Sequence, residues 1–105
     1  MQAVRSALGG AAQRYSAKKV TVPVNFFCPA RGAKSVSVIG DFNKWEPNAH
    51  PMKRQPDGSW SVQILLHHGH HQYQFLIDGQ AMLDPRAQGI TRNANQERVS
   101  MIAVS

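Results

Sequence analysis

The chain has 105 residues, a length that suits one small domain around a single modest core. Its apolar runs, such as "ILL" at Ile64, are a few residues long, which excludes a helix that spans a bilayer, since that needs about 18. The formal charge is +6, from 12 Lys and Arg against 6 Asp and Glu; four of the basic residues, Arg5, Arg14, Lys18 and Lys19, fall before Val20, and the rest are scattered without a basic stripe interleaved with aromatics, so nucleic-acid binding is disfavoured.

Residues 1–19 are rich in Ala, Ser, Gly and basic side chains. Val4, Leu8, Ala11 and Tyr15 fall at near-helical spacing, but Gly9-Gly10 interrupts them. The stretch lacks the continuous apolar segment of a secretory signal. Its basic, acid-poor composition leaves an organelle transit peptide open. The preferred reading is a disordered leader.

From Val20 the apolar period becomes two. Val20, Val22, Val24 and Phe26 share one face, and Pro23 marks this run as an edge strand. Cys28 ends the run. A single cysteine makes no internal disulfide, so a packed thiol in a reducing, cytoplasmic setting is expected. "RGAKS" is a polar turn, and "SVSVIG" is a second strand with Val36 and Val38 in phase. "DFNKWEPNAHP" has no alternation and two prolines, so it is a loop. "PDGS" is a turn in which Pro56 sets φ and Asp57-Gly58 tolerates positive φ. "WSVQILL" follows with Trp60, Val62 and Ile64 in phase, which makes Trp60 a core residue.

"HHGHH", His67 to His71, lies between two alternating runs. A short polar stretch with glycine in that position predicts a hairpin. Adjacent strand residues face opposite sides, so His67 and His68 cannot aim at one ion, and no metal site or other cofactor is expected. In "QYQFLI", Tyr73, Phe75 and Ile77 are in phase. Asp78-Gly79 is a turn pair, "AML" is a short run, and Asp84-Pro85 closes a turn. "DPRAQGITRNANQE" reads as a long polar loop, and "RVSMIAV" as the last strand. The pattern predicts an all-β fold: an antiparallel β-sandwich of about seven short strands over residues 20–105.

"VSVIGDFNKW", then "GSW", then "GHHQYQFLIDG", then "DPRA" resemble the glycogen-binding module of the AMP-activated protein kinase β subunit. They are also similar to family 48 carbohydrate-binding modules and to isoamylase N-terminal "early set" domains. The resemblance covers about residues 20–104. It implies an immunoglobulin-like sandwich, no catalysis, and an α-glucan such as glycogen as partner. A glucose ring has apolar C–H faces on which an indole can lie, and a rim of hydroxyls that polar side chains can bond.

Carried over by position, Trp45 falls on the family's first stacking tryptophan. Asn43, Lys44, Gln74 and Asn95 are the polar candidates around it. The family's second tryptophan is Ala81 here. Its lysine is Gln74. Its late-loop leucine is Ala94 or Asn95, and its late-loop asparagine is Val99. Loss of the second platform removes on the order of 1–3 kcal/mol, a factor of roughly 10 to 100 in affinity. The Asn93 and Asn95 cluster also reads as loop structure. Asp41 and Glu46 are the carboxylates near Trp45, but a chain this small does not build a glycosidase cleft around them. The sequence therefore points to weak α-glucan binding centred on Trp45. The alternative is a protein-interaction module on the same fold, with a glycogen-metabolising enzyme or another protein engaged in trans.

Overall fold

The structure is a computed structural model that describes residues 20–105; the expected leader, 1–19, lies outside the described residues. Eight strands follow in order: β1 (Thr21–Cys28), β2 (Val36–Gly40), β3 (Lys53–Arg54), β4 (Trp60–His67), β5 (Gly69–Ile77), β6 (Gln80–Met82), β7 (Gly89–Arg92) and β8 (Arg98–Val104). They form two antiparallel sheets. One has the order β1-β4-β3, and the other β2-β5-β8-β7 with β6 added to β5. No helix occurs among the described residues. This is the antiparallel β-sandwich that the alternating runs predict, with one strand more than expected.

The period-two pattern explains the core directly, because alternate residues of a strand face opposite sides. Phe26 and Cys28 of β1, Trp60, Ile64 and Leu66 of β4, and Tyr73 and Phe75 of β5 are buried together between the sheets. The Phe26 and Tyr73 rings meet edge-on across the two sheets, 5.0 Å apart at 73°. Such contacts between aromatics add to the burial of their area. Trp60 is core, as expected, and its indole N–H donates to the Ala30 carbonyl at 3.1 Å. Cys28 is also buried, and burial pushes its thiol pKa up, which makes it a poor nucleophile. Among the described residues β1 pairs only with β4, and Pro23 lies opposite Leu65 on this edge strand.

Two expectations are corrected. "HHGHH" is not a hairpin. β4 pairs with β1 and β3, and β5 pairs with β2, β6 and β8, so the chain passes from one sheet to the other at His68 and Gly69. Gly69, at φ 126°, supplies backbone freedom for the crossing. The apolar faces of the two runs meet across the core rather than lying side by side, and the local turn signal cannot distinguish those arrangements. The stretch from Asp84 to Glu97 is also not all loop. Gly89–Arg92 forms β7, and β8 supplies the register that the non-alternating sequence does not announce.

The two-residue link after β5 is a true hairpin turn. Asp78 and Gly79 both have positive φ, 49° and 86°, and Ile77 pairs with Gln80. Asp78 Oδ1 also accepts the backbone N–H groups of Lys34 and Ser35 at 2.8 and 2.9 Å, tying this hairpin to the entry of β2.

Candidate functional site

The candidate site begins at the end of β2. The Gly40 carbonyl accepts the N–H of Asn43 at 3.1 Å and of Trp45 at 2.9 Å. This winds the chain into a tight turn over Asp41–Trp45. Gly40 has no room for a side chain: a Cβ would lie 2.6 Å from the Gln72 carbonyl oxygen and 2.6 Å from the Phe42 ring. Lys44 and Trp45 both take φ 58°, a left-handed conformation that is costly for any residue with a Cβ and rare for a tryptophan. Such strain persists only where the surroundings over-determine it.

The surroundings here are Asn43 and Asp41. Asn43 Oδ1 accepts the Gly40 N–H at 3.0 Å, and its Nδ2 donates to the Val38 carbonyl at 3.0 Å. The Asp41 N–H donates to the Gln72 carbonyl at 3.0 Å, and its Oδ2 accepts the Gln72 N–H at 3.0 Å. The turn is thus fastened to β2 at one end and to β5 at the other. Asp41 is consumed by this bonding, and Glu46 accepts the Asn48 N–H at 3.4 Å. Both carboxylates are thus engaged in the loop's own hydrogen bonding.

Trp45 forms one wall of a groove of about 430 Å³, together with Gln72, Gln74, Asn93, Ala94, Asn95 and Glu97. That volume lies at the small end of the range for ligand pockets. The floor comes from β5. In "QYQF", Tyr73 and Phe75 point to the core, so Gln72 and Gln74 stand on the outer face as successive rungs. Gln74 Nε2 donates to the Arg98 carbonyl at 3.1 Å, which leaves its Oε1 for the groove.

The far wall is the turn between β7 and β8. Asn93 Oδ1 accepts the N–H groups of Asn95 and Glu97 at 2.9 and 3.0 Å, and its Nδ2 donates to Glu97 Oε1 at 3.2 Å. Asn93 therefore shapes the turn, as the loop reading anticipates. The carboxamides of Gln72 and Asn95 take part in no hydrogen bond among the described residues, and both line the groove.

The five polar and aromatic candidates divide clearly. Trp45, Gln74 and Asn95 come together. Asn43 does not line the groove, because its amide is buried in the turn's own bonding. Lys44 is exposed and outside it. Val99, standing where the family has an asparagine, is buried. Ala81 is exposed on β6 opposite Leu76, on the same face as Gln74 and Gln72 but beyond the groove. Gln72 and Glu97 are the lining residues that motif reading missed. Period two would have found Gln72 from Gln74; Glu97 has no local signal, since only the β7–β8 pairing carries it to the site.

Beneath the floor, the Tyr73 hydroxyl donates to Asp84 at 2.5 Å, and the Asp84 N–H donates to the Ser100 hydroxyl at 2.8 Å. All three residues are buried. Burial first, and then the Asp84 carboxylate, push the Tyr73 pKa well above the usual phenol range. This network joins β5, β8 and the segment after β6 beneath the groove. Among the described residues, no three His, Cys, Asp or Glu side chains gather as a metal site, and no helix is long and apolar enough to cross a membrane.

A family model described as the glycogen recognition site of AMP-activated protein kinase matches residues 22–105. Among characterised proteins, the chain is similar to the 1,4-alpha-glucan branching enzyme GlgB 2 of Xanthomonas campestris pv. campestris (strain 8004). The two are 35% identical over 91 residues, covering 82% of this chain and 12% of that enzyme. It is also similar to the branching enzymes of Photobacterium profundum, 44% identical over 52 residues, and of Cupriavidus pinatubonensis, 52% identical over 42 residues. Those matches cover 50% and 39% of this chain and 7% and 6% of the enzymes. The chain thus spans only a small part of the length of these relatives. With a model matched from β1 to the last residue and the groove beside its "GDFNKW" turn, the chain belongs to the glycogen-recognition family of carbohydrate-binding modules.

Proposed function

We propose that the groove binds an α-glucan such as glycogen without catalysis, with Trp45 as the stacking platform. The observation that carries this reading is the Trp45 backbone. A tryptophan held at positive φ, half-exposed, beside carboxamides that are unpaired among the described residues is an arrangement that core packing does not require. A sugar laid on the indole places its hydroxyl rim over Gln72, Gln74, Asn95 and Glu97. The carboxamides donate and accept, and the Glu97 carboxylate accepts. One platform instead of two makes the affinity weak. The buried thiol of Cys28 accords with a reducing, cytoplasmic setting.

The test is calorimetric titration of the protein with maltoheptaose, beside Trp45→Ala and Trp60→Phe. Saturable binding that Trp45→Ala weakens roughly 10- to 100-fold and Trp60→Phe retains supports the reading. Equal binding by wild type and Trp45→Ala contradicts it.

Ala81 favours a second reading, in which the same face meets a protein. The position of the family's second platform is a small exposed residue on a short strand, which leaves that part of the face open to a flat partner. On this reading maltoheptaose does not displace the partner.

A further inference from the structure

Two histidines bracket the Asp41–Trp45 turn, and their hydrogen bonds make opposite demands on protonation. The orientation of the Asn43 amide is fixed by its backbone partners, Gly40 N–H on Oδ1 and Val38 carbonyl on Nδ2. That same Nδ2 lies 2.9 Å from Nδ1 of His50. An amide nitrogen only donates, so His50 Nδ1 must present a lone pair. The geometry of this bond calls for a neutral His50 ring with its proton on Nε2.

His71 has the reverse requirement. Its Nδ1 lies 3.2 Å from Asp41 Oδ1, and its Nε2 lies 2.9 Å from the His67 carbonyl oxygen. Both neighbours are acceptors. A neutral imidazole has one N–H and can satisfy only one of them, whereas the imidazolium satisfies both. Asp41 is the residue that fastens the turn to Gln72, so what happens at His71 reaches Trp45 through it. The Phe42 ring, inside the turn, packs edge-on to both imidazoles, 6.2 Å from His50 and 6.0 Å from His71.

We propose that His50 and His71 are a positioning pair for Trp45, and that the turn is fully bonded only when His50 is neutral and His71 is charged. Acid turns the His50 acceptor into a donor facing the Asn43 amide. Alkali removes one of the two donors of His71 and its charge against Asp41. Occupancy of the binding-competent turn then follows a bell in pH, with its acid limb set by His50 and its alkaline limb by His71. The other titratable or charged groups around the pair are His67 and His70, which line the same hollow as His71, and Lys44 and Glu46 in the loop before His50. Among the described residues, Asp41–His71 is the only contact between a carboxylate and a basic side chain within 4.0 Å, at 3.2 Å.

The affinity consequence rests on the glucan reading; the ring states do not. The experiment therefore has two arms, both on the whole chain. In the first, without sugar, ring-nitrogen NMR signals and the Trp45 indole N–H are followed from about pH 5 to about pH 8, the span in which histidine changes charge. At the pH where the Trp45 signal is at its limiting position, His50 is expected as the neutral ring with the proton on Nε2 and His71 with both nitrogens protonated. In the second, maltoheptaose affinity is measured across the same span for wild type, His50→Gln and His71→Gln. Affinity should fall roughly three- to tenfold on each limb, the factor for one modest hydrogen bond. His50→Gln keeps an acceptor for Asn43 and should flatten the acid limb alone. His71→Gln should flatten the alkaline limb alone. The opposite ring states in wild type, or both limbs surviving in both variants, overturn the proposal. If maltoheptaose binds at no pH, the glucan reading falls, and the wild-type ring states still decide the pair even where a variant does not fold.

Discussion

β5 has two faces with different jobs. Its inward residues, Tyr73 and Phe75, are buried and close the core. Its outward residues, Gln72 and Gln74, floor the groove beside Trp45. The inward face is fixed by bulk and apolarity, which leave little choice of residue. The outward face is free of that constraint, and on the proposed reading its residue types serve binding. One alternation in "HQYQF" thus separates what folds the chain from what the chain presents.

The predictions separate those faces, and the largest effect belongs to the inward one. Phe75→Ala should cost about 3–5 kcal/mol, read as a shift in the denaturant midpoint, because a fully buried ring leaves a cavity that the sandwich cannot collapse. Trp45→Ala should do the opposite, lowering glucan affinity roughly 10- to 100-fold by calorimetry while the denaturant midpoint stays close to wild type. A large fall in stability in that variant would mean that Trp45 belongs to the fold rather than to the site.

Tyr73→Phe lies between the two faces. It should cost about 1–3 kcal/mol, since it leaves Asp84 buried without its hydroxyl donor. The same group gives a pH dependence. The pKa of Tyr73 is raised in the folded state, so the native protein favours the neutral phenol. Its contribution is fully present below the unfolded phenol value of about 10 and is lost as pH rises above it. Chemical denaturation should therefore show stability falling in the alkaline range in wild type, and less so in Tyr73→Phe. The smallest effect is expected for Gln72→Ala: a loss in affinity of about two- to tenfold with unchanged stability, as for one polar contact at a partly exposed site.

The inward face was legible in the sequence. Period two placed Phe26, Trp60, Ile64, Tyr73 and Phe75 on core faces, and turn chemistry found Asp57-Gly58 and Asp78-Gly79, because both signals are local. What was not legible depends on pairing between distant strands. "HHGHH" satisfies the composition of a hairpin, and only the partnership of β4 with β1 and of β5 with β8 makes it a crossing between sheets. β7 has no alternation of its own and exists through β8. Of the residues that line the groove, the resemblance named Trp45, Gln74 and Asn95. It also suggested Asn43, whose neighbours in sequence do not reveal that its amide is turned inward to Gly40 and Val38. Glu97 reaches the groove only because Asn93 folds the turn back on itself.

The most direct measurement of the central claim is a titration of the ¹⁵N-labelled protein with maltoheptaose, following its two indole N–H signals. Trp60 is buried against Ala30 and serves as the internal control. A saturable shift of the Trp45 signal with Trp60 unmoved is the predicted result. No movement of either signal at millimolar sugar, with the spectrum of a folded protein, would contradict it and leave the outward face to a protein partner.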